Sequence, residues 1–265
     1  MKAVAGVYYS RDEAEQAATT AWYAGIPADK IMVLTPGDIR GKGVLSRLLG
    51  GEDPVLTRER RTESKAAGPF ERMPSFAAVI PGVGAATAVG LLGAALLVTA
   101  GEAAETFANT RFEDSSVEGL LENETFLYED VLRHRGSVVI LIVDEAAADY
   151  WLLQFRNSGA ESIDHIRNLW WNALRGVERA NYAILNRNFE EDEKFYRLGF
   201  ESALHARTRC KEYDQVLGEM VAKLEDVQRE YPSASVEKPF THGYERGRNY
   251  YQRLCNQCTP ASSHL

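Results

Sequence analysis

The sequence predicts an α+β fold: a ferredoxin-like split βαβ domain with an inserted Gly/Ala-rich apolar helical segment, followed by an all-α domain. Two observations lead to this prediction. A strand–helix–strand pattern occurs twice within residues 1–165, and only helical patterns follow in 166–254. The insertion is placed at 36–115, and the polar residues 255–265 are expected to form a flexible tail. The chain of 265 residues, 45% of them hydrophobic, is long enough to build two cores.

The first strand–helix–strand pattern opens the chain. An apolar run at 3–9 predicts a strand and is too short for the core of a signal peptide. Ser10 and Glu13 form a capping-box pattern at the start of a helix, and Gly25 is suited to end it. A second apolar run at 31–34 predicts the next strand.

The second pattern repeats the first with the same spacing. An apolar strand at 138–143 precedes Asp144 as the capping residue, Gly159 ends the helix, and a short strand follows near 162–163. In both patterns, 15 residues separate the capping residue from the glycine. Equal spacing favours an internal duplication whose two halves share one sheet. The alternative is a chance match between two common units.

The segment between the two patterns contains a long uncharged run. Residues 36–72 are rich in Gly, Arg and Glu and predict a loop, whereas 73–101 is a run of 29 residues without a charge. Its second part, 83–101, is long enough to cross a bilayer. A single crossing would put the two patterns on opposite sides of the membrane, where they cannot share a sheet. We therefore favour a buried helical hairpin or bent helix, with a membrane-surface element and a true span as the alternatives.

Small residues recur at every fourth position of this predicted helix. A stripe of that kind lets two helices approach closely, which indicates a self-association surface. The residues of this predicted surface are Gly82, Ala86, Gly90 and Ala94.

The C-terminal region predicts a bundle of aromatic-rich helices. Gly199 and Gly243 lie within two of them, where glycine costs about 1 kcal/mol relative to alanine, so we expect both at close helix contacts. Trp170 and Trp171 are either part of the core or a partner-binding face, since tryptophan is enriched at binding hot spots. The four predicted helices span about 165–187, 190–208, 211–230 and 235–254.

Three stretches of the N-terminal region carry a resemblance to a known family. They are 4–14 (VAGVYYSRDEA), 24–34 (AGIPADKIMVL) and the step 80–84 (IPGVG) in the uncharged run. Together with an acidic helix and a closing strand–helix at 129–163, they resemble the bacterial heat-induced general stress protein family. The resemblance covers residues 3–163 and implies a stress-linked, non-enzymatic protein without catalytic residues to carry over.

The helical region resembles an extension found on some members of that family. A Tyr/Phe-x-x-Gly-Tyr/Phe-Glu pattern occurs at 196–201 and again at 240–245. The insertion at 36–72 is longer and more charged than the family pattern, which leaves its role open.

The sequence offers no catalytic constellation. Dinucleotide, P-loop, nucleophile-elbow and zinc-protease motifs do not occur at usable places, so we expect no catalytic residues, no metal site and no cofactor. The one sulfur motif is Cys255-x-x-Cys258, which could form a zinc site with Cys210 and either His242 or His264. Incidental reduced thiols are the simpler interpretation, because three cysteines fit a reducing cytoplasm better than a disulfide scaffold.

These features favour a non-enzymatic, stress-associated protein that self-assembles and binds a protein partner through its helical domain. The net charge of −8 argues against nucleic acid as a partner. We expect a homo-oligomer in the cytoplasm. Two alternatives stay open: a membrane-peripheral protein that inserts its 73–101 segment, and a thiol or metal-dependent protein that uses the Cys-x-x-Cys motif.

Overall fold

The computed structural model describes residues 1–37, 57–59, 75–80, 82–90, 93 and 124–255. The chain divides into two compact units, Met1–Arg167 and Asn168–Leu265, called here the N-terminal and the C-terminal unit. The predicted boundary between 165 and 166 lies two residues before this division. Within the described residues, no helix is both long and apolar enough to cross a membrane.

The N-terminal unit is built on one antiparallel sheet. Seven strands follow each other in the order β3-β4-β5-β2-β6-β1-β7, and every neighbouring pair is antiparallel. The coarse prediction of an α+β fold is therefore confirmed. In chain order the elements are β1 (Lys2–Tyr8), α1 (Arg11–Tyr23), β2 (Ile31–Pro36), β3 (Thr57–Glu59), β4 (Ser75–Ile80), β5 (Gly84–Val89), α2 (Thr125–Arg133), β6 (Ser137–Val143), α3 (Glu145–Asn157), β7 (Glu161–Ser162) and the first residues of α4 (Ile163–Tyr182).

Strand β6 lies between β1 and β2 and explains the most hydrophobic run of the sequence. All seven of its residues are buried, because both faces of the sheet are covered at this strand. One face carries α1 and α3, which pack alanines and the side chains of Trp151 and Phe155 against the strands. The prediction that β1, β2 and β6 share a sheet with both helices on one face is thus confirmed.

The opposite face is covered by α2. Tyr128, Val131 and Leu132 of this helix pack against Met32, Ile140 and other strand residues. The structure describes this helix from Thr125 to Arg133.

The ends of α1 and α3 follow the local signals of the sequence. The Ser10 hydroxyl accepts a hydrogen bond from the Glu13 amide at 3.4 Å. Gly25 and Gly159, just beyond the helices, have positive φ angles of 96° and 89°, a conformation that glycine adopts without the penalty of a Cβ. Asp144 occupies the N-cap position of α3, but its side chain makes no capping hydrogen bond.

The predicted apolar helix is wrong for residues 75–80 and 82–90, whereas Gly93 is helical. Residues 75–89 contain the hairpin β4–β5, with Ile80 paired to Gly84 across the turn, and β5 pairs in turn with β2. Strand pairing places alternate residues on opposite faces, so Ala86 and Ala88 enter one core while Val89 enters the other. Gly and Ala residues are compatible with both helix and strand. Here the pairing of β5 with β2, a long-range contact, selects the strand.

The small-residue surface predicted on that helix is therefore not formed by the described residues. Gly82 lies in the β4–β5 turn with φ 70°, and Ala86 is buried within the sheet. Gly90 has φ 92°, and a Cβ there would lie 2.6 Å from the carbonyl oxygen of Ile31. Ala94 lies outside the described residues. Gly82 permits the turn between β4 and β5, and Gly90 permits a close approach to the backbone of β2. Among the described residues, neither glycine lies in a contact between two helices.

The described residues of the C-terminal unit form helices only. These are the remainder of α4, a 3₁₀ turn at Ala183–Leu185, α5 (Phe189–Ser202), α6 (Tyr213–Glu230) and α7 (Glu237–Cys255). The helix predicted at 190–208 ends earlier, at Ser202. Helices α5 and α7 pack closely along their length, and the core around them is aromatic, with Tyr196, Phe200, Phe240 and Tyr244 fully buried.

Glycine allows this close packing. A Cβ at Gly199 would lie 2.0 Å from the Phe240 carbonyl oxygen, and a Cβ at Gly243 would lie 2.0 Å from the Tyr196 carbonyl oxygen. Gly247, one turn further, faces the Phe200 carbonyl oxygen in the same way. The predicted close contacts at Gly199 and Gly243 are confirmed: the backbones of α5 and α7 touch where no side chain intervenes.

Candidate functional site

A cleft of about 630 Å³ lies beside β7 in the N-terminal unit. Its floor is apolar, with the Phe155 ring and Leu152 from α3, and its rim carries the charged side chains of Arg156 and Glu161. The complete lining is Ala5, Leu152, Phe155, Arg156 and residues 159–165.

The cleft exists because β7 is short. Only two pairs join it to β1, Gly6 with Ser162 and Val7 with Glu161. Strand β1 extends back to Lys2, and β6 pairs with all of it on the other side. Within the described residues, the first half of β1 therefore has no strand partner on the β7 side, where alternate residues direct their backbone N–H and C=O groups.

Local sequence fixes the shape of this cleft. Gly6 lacks a side chain where a Cβ would lie 2.9 Å from the Phe155 ring, so α3 can settle onto β1. Gly159, in the left-handed region, reverses the chain between α3 and β7. Helix α4 then begins at Ile163 and ends the strand after two residues.

The polar groups of the cleft do not form a nucleophile–base pair. The Ser162 hydroxyl accepts a hydrogen bond from the His165 amide at 3.2 Å, which is the geometry of a helix cap. The His165 imidazole Nε2 lies 3.8 Å from a carboxylate oxygen of Glu161, and both side chains are exposed. The cleft thus offers main-chain hydrogen bonds, the apolar side chain of Leu152 and the charged side chains of Arg156, Glu161 and Asp164, which suits binding better than catalysis.

A second polar arrangement lies inside the C-terminal unit. Three carboxylates each accept two hydrogen bonds from one arginine and a third from an aromatic side chain, the pattern of strong bidentate pairing. Glu178 binds Arg246 and the Tyr196 hydroxyl, Asp192 binds Arg187 and the Tyr182 hydroxyl, and Glu193 binds Arg175 and the Trp171 indole, all at 2.6–2.9 Å.

The arginine contacts favour the ionised form of Asp192 and Glu193. The hydrogen bonds from Arg187 lower the pKa of Asp192, and those from Arg175 lower the pKa of Glu193. Burial, followed by the bond to Glu178, raises the pKa of Tyr196. These shifts move the pKa values of Asp192, Glu193 and Tyr196 further from neutral pH, so these groups do not exchange protons there. The cluster is therefore suited to fixing helix positions and not to acid–base chemistry.

His242 is the one imidazole embedded in this aromatic core. Its ring centroid lies 5.9 Å from those of Tyr182 and Tyr196, and its Nε2 atom is buried without a hydrogen-bond partner in the described structure. Burial and the neighbouring Arg246 charge lower the pKa of His242. The described residues contain no group of three or more side chains able to hold a metal ion around it.

Trp170 and Trp171 do not form the predicted partner-binding face. Both indoles are buried: the Trp171 N–H donates to Glu193 at 2.8 Å, and the Trp170 N–H donates to the Tyr250 hydroxyl at 3.4 Å. Both rings also contact Phe200. The alternative, in which the two tryptophans belong to the core, describes their position.

The cysteines are also placed differently from the prediction. Cys255 is buried at the end of α7, and Cys210 is disulfide-bonded. The interpretation of three incidental reduced thiols is therefore wrong for Cys210. Cys258 lies outside the described residues.

Comparison of the chain with protein-family models, curated proteins and solved structures found no match.

The sequence did not indicate the edge cleft or the triple carboxylate cluster. The two partners of the ion pair between Glu178 and Arg246 are 68 residues apart, and no local pattern links them. The cleft depends on the strand β7 ending after two residues, and its only local signal is Ser162 at the N-cap position of α4.

Proposed function

We propose that this chain is a non-enzymatic, stress-associated interaction protein that binds an extended segment of a protein partner along β1. The observation that carries the proposal is the stretch of β1 before Gly6, which has no strand partner on the β7 side among the described residues and borders the cleft. An extended peptide that adds to such an edge gains main-chain hydrogen bonds, and neighbouring pockets select its side chains.

The lining of the cleft gives the peptide a chemical character. Leu152 and Phe155 offer an apolar surface on one side of the strand position, and Arg156 lies one residue further along α3. Because side chains alternate along a strand, we expect a bound segment with an apolar side chain over Phe155. An acidic residue near Arg156 would add a charge-assisted contact.

The wider assignment is part of the same proposal. We infer a ferredoxin-like arrangement for the N-terminal unit, supported by the order β2-β6-β1-β7 with α1 and α3 on one face. We infer a separate all-α domain for the C-terminal unit, supported by its own aromatic core. The stress association is supported by the resemblance of residues 3–163 to the general stress family.

Insertion of the 73–101 segment into a membrane has less support. Most of its described residues lie in strands β4 and β5, and Ile80, Ala86 and Ala88 are buried in the N-terminal core. Releasing them to lipid would break the pairing of β5 with β2, which is a cost that a loosely held apolar helix would not have.

Selection from a random peptide library on the full-length chain tests peptide binding. We expect enriched peptides with alternating apolar residues, and we expect Leu152→Glu to weaken the binding of a selected peptide at least tenfold in calorimetry. Leu153→Glu is the matched control, because Leu153 is 50% exposed on the same helix and does not line the cleft.

Two results would refute the proposal. The first is equal loss of affinity in the two glutamate variants, which would place the peptide elsewhere. The second is a bound peptide that leaves the amide hydrogens of β1 before Gly6 unprotected from exchange, since addition to this edge requires their protection.

A further inference from the structure

Helix α4 has an exposed apolar face in the C-terminal unit. The helix buries Trp171, Glu178 and Tyr182 on one side. On the other side Leu169, Val177 and, in the following 3₁₀ turn, Ile184 are 48%, 60% and 78% exposed. Soluble proteins expose single apolar residues routinely, but a contiguous exposed face is typical of an interaction surface.

The face, called here the α4 face, is continuous and narrow. With 3.6 residues per turn, its five α-helical residues fall within an arc of about 100°, and Ile184 follows in the 3₁₀ turn. Large side chains stand at its two ends and small ones at its centre. The six residues are Leu169, Ala173, Gly176, Val177, Ala180 and Ile184.

The α4 face matches itself under a two-fold rotation. Its residues are arranged symmetrically about the midpoint between Gly176 and Val177, so that Leu169 corresponds to Ile184 and Ala173 corresponds to Ala180. In an isologous dimer, residue i of one chain meets residue j of the other, and j meets i. Two antiparallel copies of this helix would therefore pack large residues beside large ones and small beside small.

Its charge distribution also fits a second copy. Of the exposed residues between 168 and 184, only Arg179 is charged, in a chain with 26% charged residues. A two-fold axis brings equal charges towards each other, so a self-pairing face must be nearly uncharged at its centre. A partner of different sequence would not impose that requirement.

Two asparagines flank the α4 face on opposite sides. Asn172 and Asn181 are both exposed and are again symmetric about the midpoint. The Asn181 side-chain N–H donates to the Val177 carbonyl oxygen at 2.8 Å, which leaves its amide oxygen as an acceptor. Both asparagines therefore border the face with polar, uncharged side chains.

We propose that the protein forms a two-fold dimer in which the α4 faces of two chains pack antiparallel, with Gly176 and Val177 at the axis. The small central residues allow the helix axes to approach to about 8 Å, the short end of the usual range. One helix pair buries less than the roughly 800 Å² per partner of a standard interface. We therefore expect a dissociation constant in the range of about 1–100 µM.

The first test is sedimentation of the full chain from about 1 to 300 µM, a range set by the expected affinity. We expect the mass to rise from 29.5 kDa to twice that value. Ala173→Glu should weaken the dimer at least tenfold, and so should Ala180→Lys. An equimolar mixture of the two variants should regain affinity, because Glu at 173 of one chain faces Lys at 180 of the other.

Val221→Glu is the control, because Val221 is an apolar residue of α6 that is 41% exposed and lies outside the α4 face. We expect it to dimerise as the wild type does. A wild-type chain that stays at 29.5 kDa throughout the range overturns the proposal, as does a dimer that Ala173→Glu leaves unchanged.

Cysteine cross-linking tests the antiparallel register without relying on the glutamate variants. Under mild oxidation, Val177→Cys should cross-link to its own copy, because it lies at the axis. Leu169→Cys should cross-link to Ile184→Cys in a mixture but not to itself, and cross-linking of Leu169→Cys to itself would overturn the register. Leu152→Glu, the cleft variant, should leave dimerisation unchanged, so failure of peptide binding and failure of dimerisation are separate results.

Discussion

The contact between α5 and α7 makes a quantitative prediction about glycine. Gly199→Ala or Gly243→Ala would place a Cβ 2.0 Å from a backbone carbonyl oxygen of the other helix. Such contacts do not fall below about 3 Å, so the two backbones must separate by about 1 Å at each site. A carbonyl oxygen cannot rotate away as the end of a flexible side chain can.

The expected magnitude follows from two opposing effects. Overpacking of a core costs about 1–3 kcal/mol, and we take the upper part of this range because the obstacle is backbone. Alanine is more favourable than glycine in a helix interior by about 1 kcal/mol, and this gain offsets part of the packing cost. The net loss is about 1–2 kcal/mol for either variant, which lowers the melting temperature of a unit of this size by about 4–16 °C.

A control on the same scale is available in α6. A Cβ at Gly218 meets no atom within 4 Å, so Gly218→Ala should stabilise the C-terminal unit by up to about 1 kcal/mol. Urea unfolding of the full chain, with hydrogen exchange of α5 and α7 peptides to assign the transition to this unit, measures all three variants. If Gly199→Ala and Gly243→Ala proved as stable as Gly218→Ala, the close approach of the two helices would be refuted.

Three further predictions concern other buried contacts. Gly90→Ala should lower the thermal stability of the N-terminal unit, because the residue combines a positive φ with a β2 carbonyl oxygen 2.6 Å from the new Cβ; unchanged melting would contradict it. Because the pKa of His242 is lowered in the folded chain, the unfolded chain binds its proton first, so stability should decline as the pH falls below about 6.5. His242→Phe should remove this decline, and a pH titration of unfolding that is identical in both proteins would exclude the histidine as its source. Arg246→Ala should lower the free energy of unfolding by about 3–5 kcal/mol, because it leaves the Glu178 carboxylate buried without its cation. Arg229→Ala removes an exposed ion pair with Asp226 and should lower it by less than about 1 kcal/mol. Equal effects in denaturant titrations would show that burial does not govern the contribution of these pairs.

Local patterns were sufficient for those elements whose signals lie within a few residues. Strand β6 is a continuous apolar run, and the turns after α1 and α3 each carry a glycine with positive φ. Gly199 and Gly243 were also informative, because an interior helix glycine has a cost that only close packing explains. In each case the sequence contains both the element and the physical reason for it.

Long-range contacts decided the rest. Residues 84–89 have a composition that fits a helix as well as a strand, and only pairing with β2 makes them a strand. The burial of Trp170 and Trp171 depends on α5 and α7, which follow much later in the chain. The symmetric residues of α4 are visible in the sequence, but their exposure, which makes them an interaction surface, is a property of the folded unit.

The β4–β5 hairpin also protects the protein from association through its sheet. Residues 31–35 of β2 are all buried, and β5 occupies the side of β2 that faces away from β6. A chain shortened to remove β3, β4 and β5 would present β2 as a long, apolar open edge, the kind of edge that templates intermolecular strand pairing. With the hairpin in place, the sheet ends instead at β3, a three-residue strand that carries Arg58 and Glu59. The hairpin therefore covers an edge that would otherwise be open to strand pairing between chains. Attempts to shorten the protein to its βαβ core should retain the hairpin.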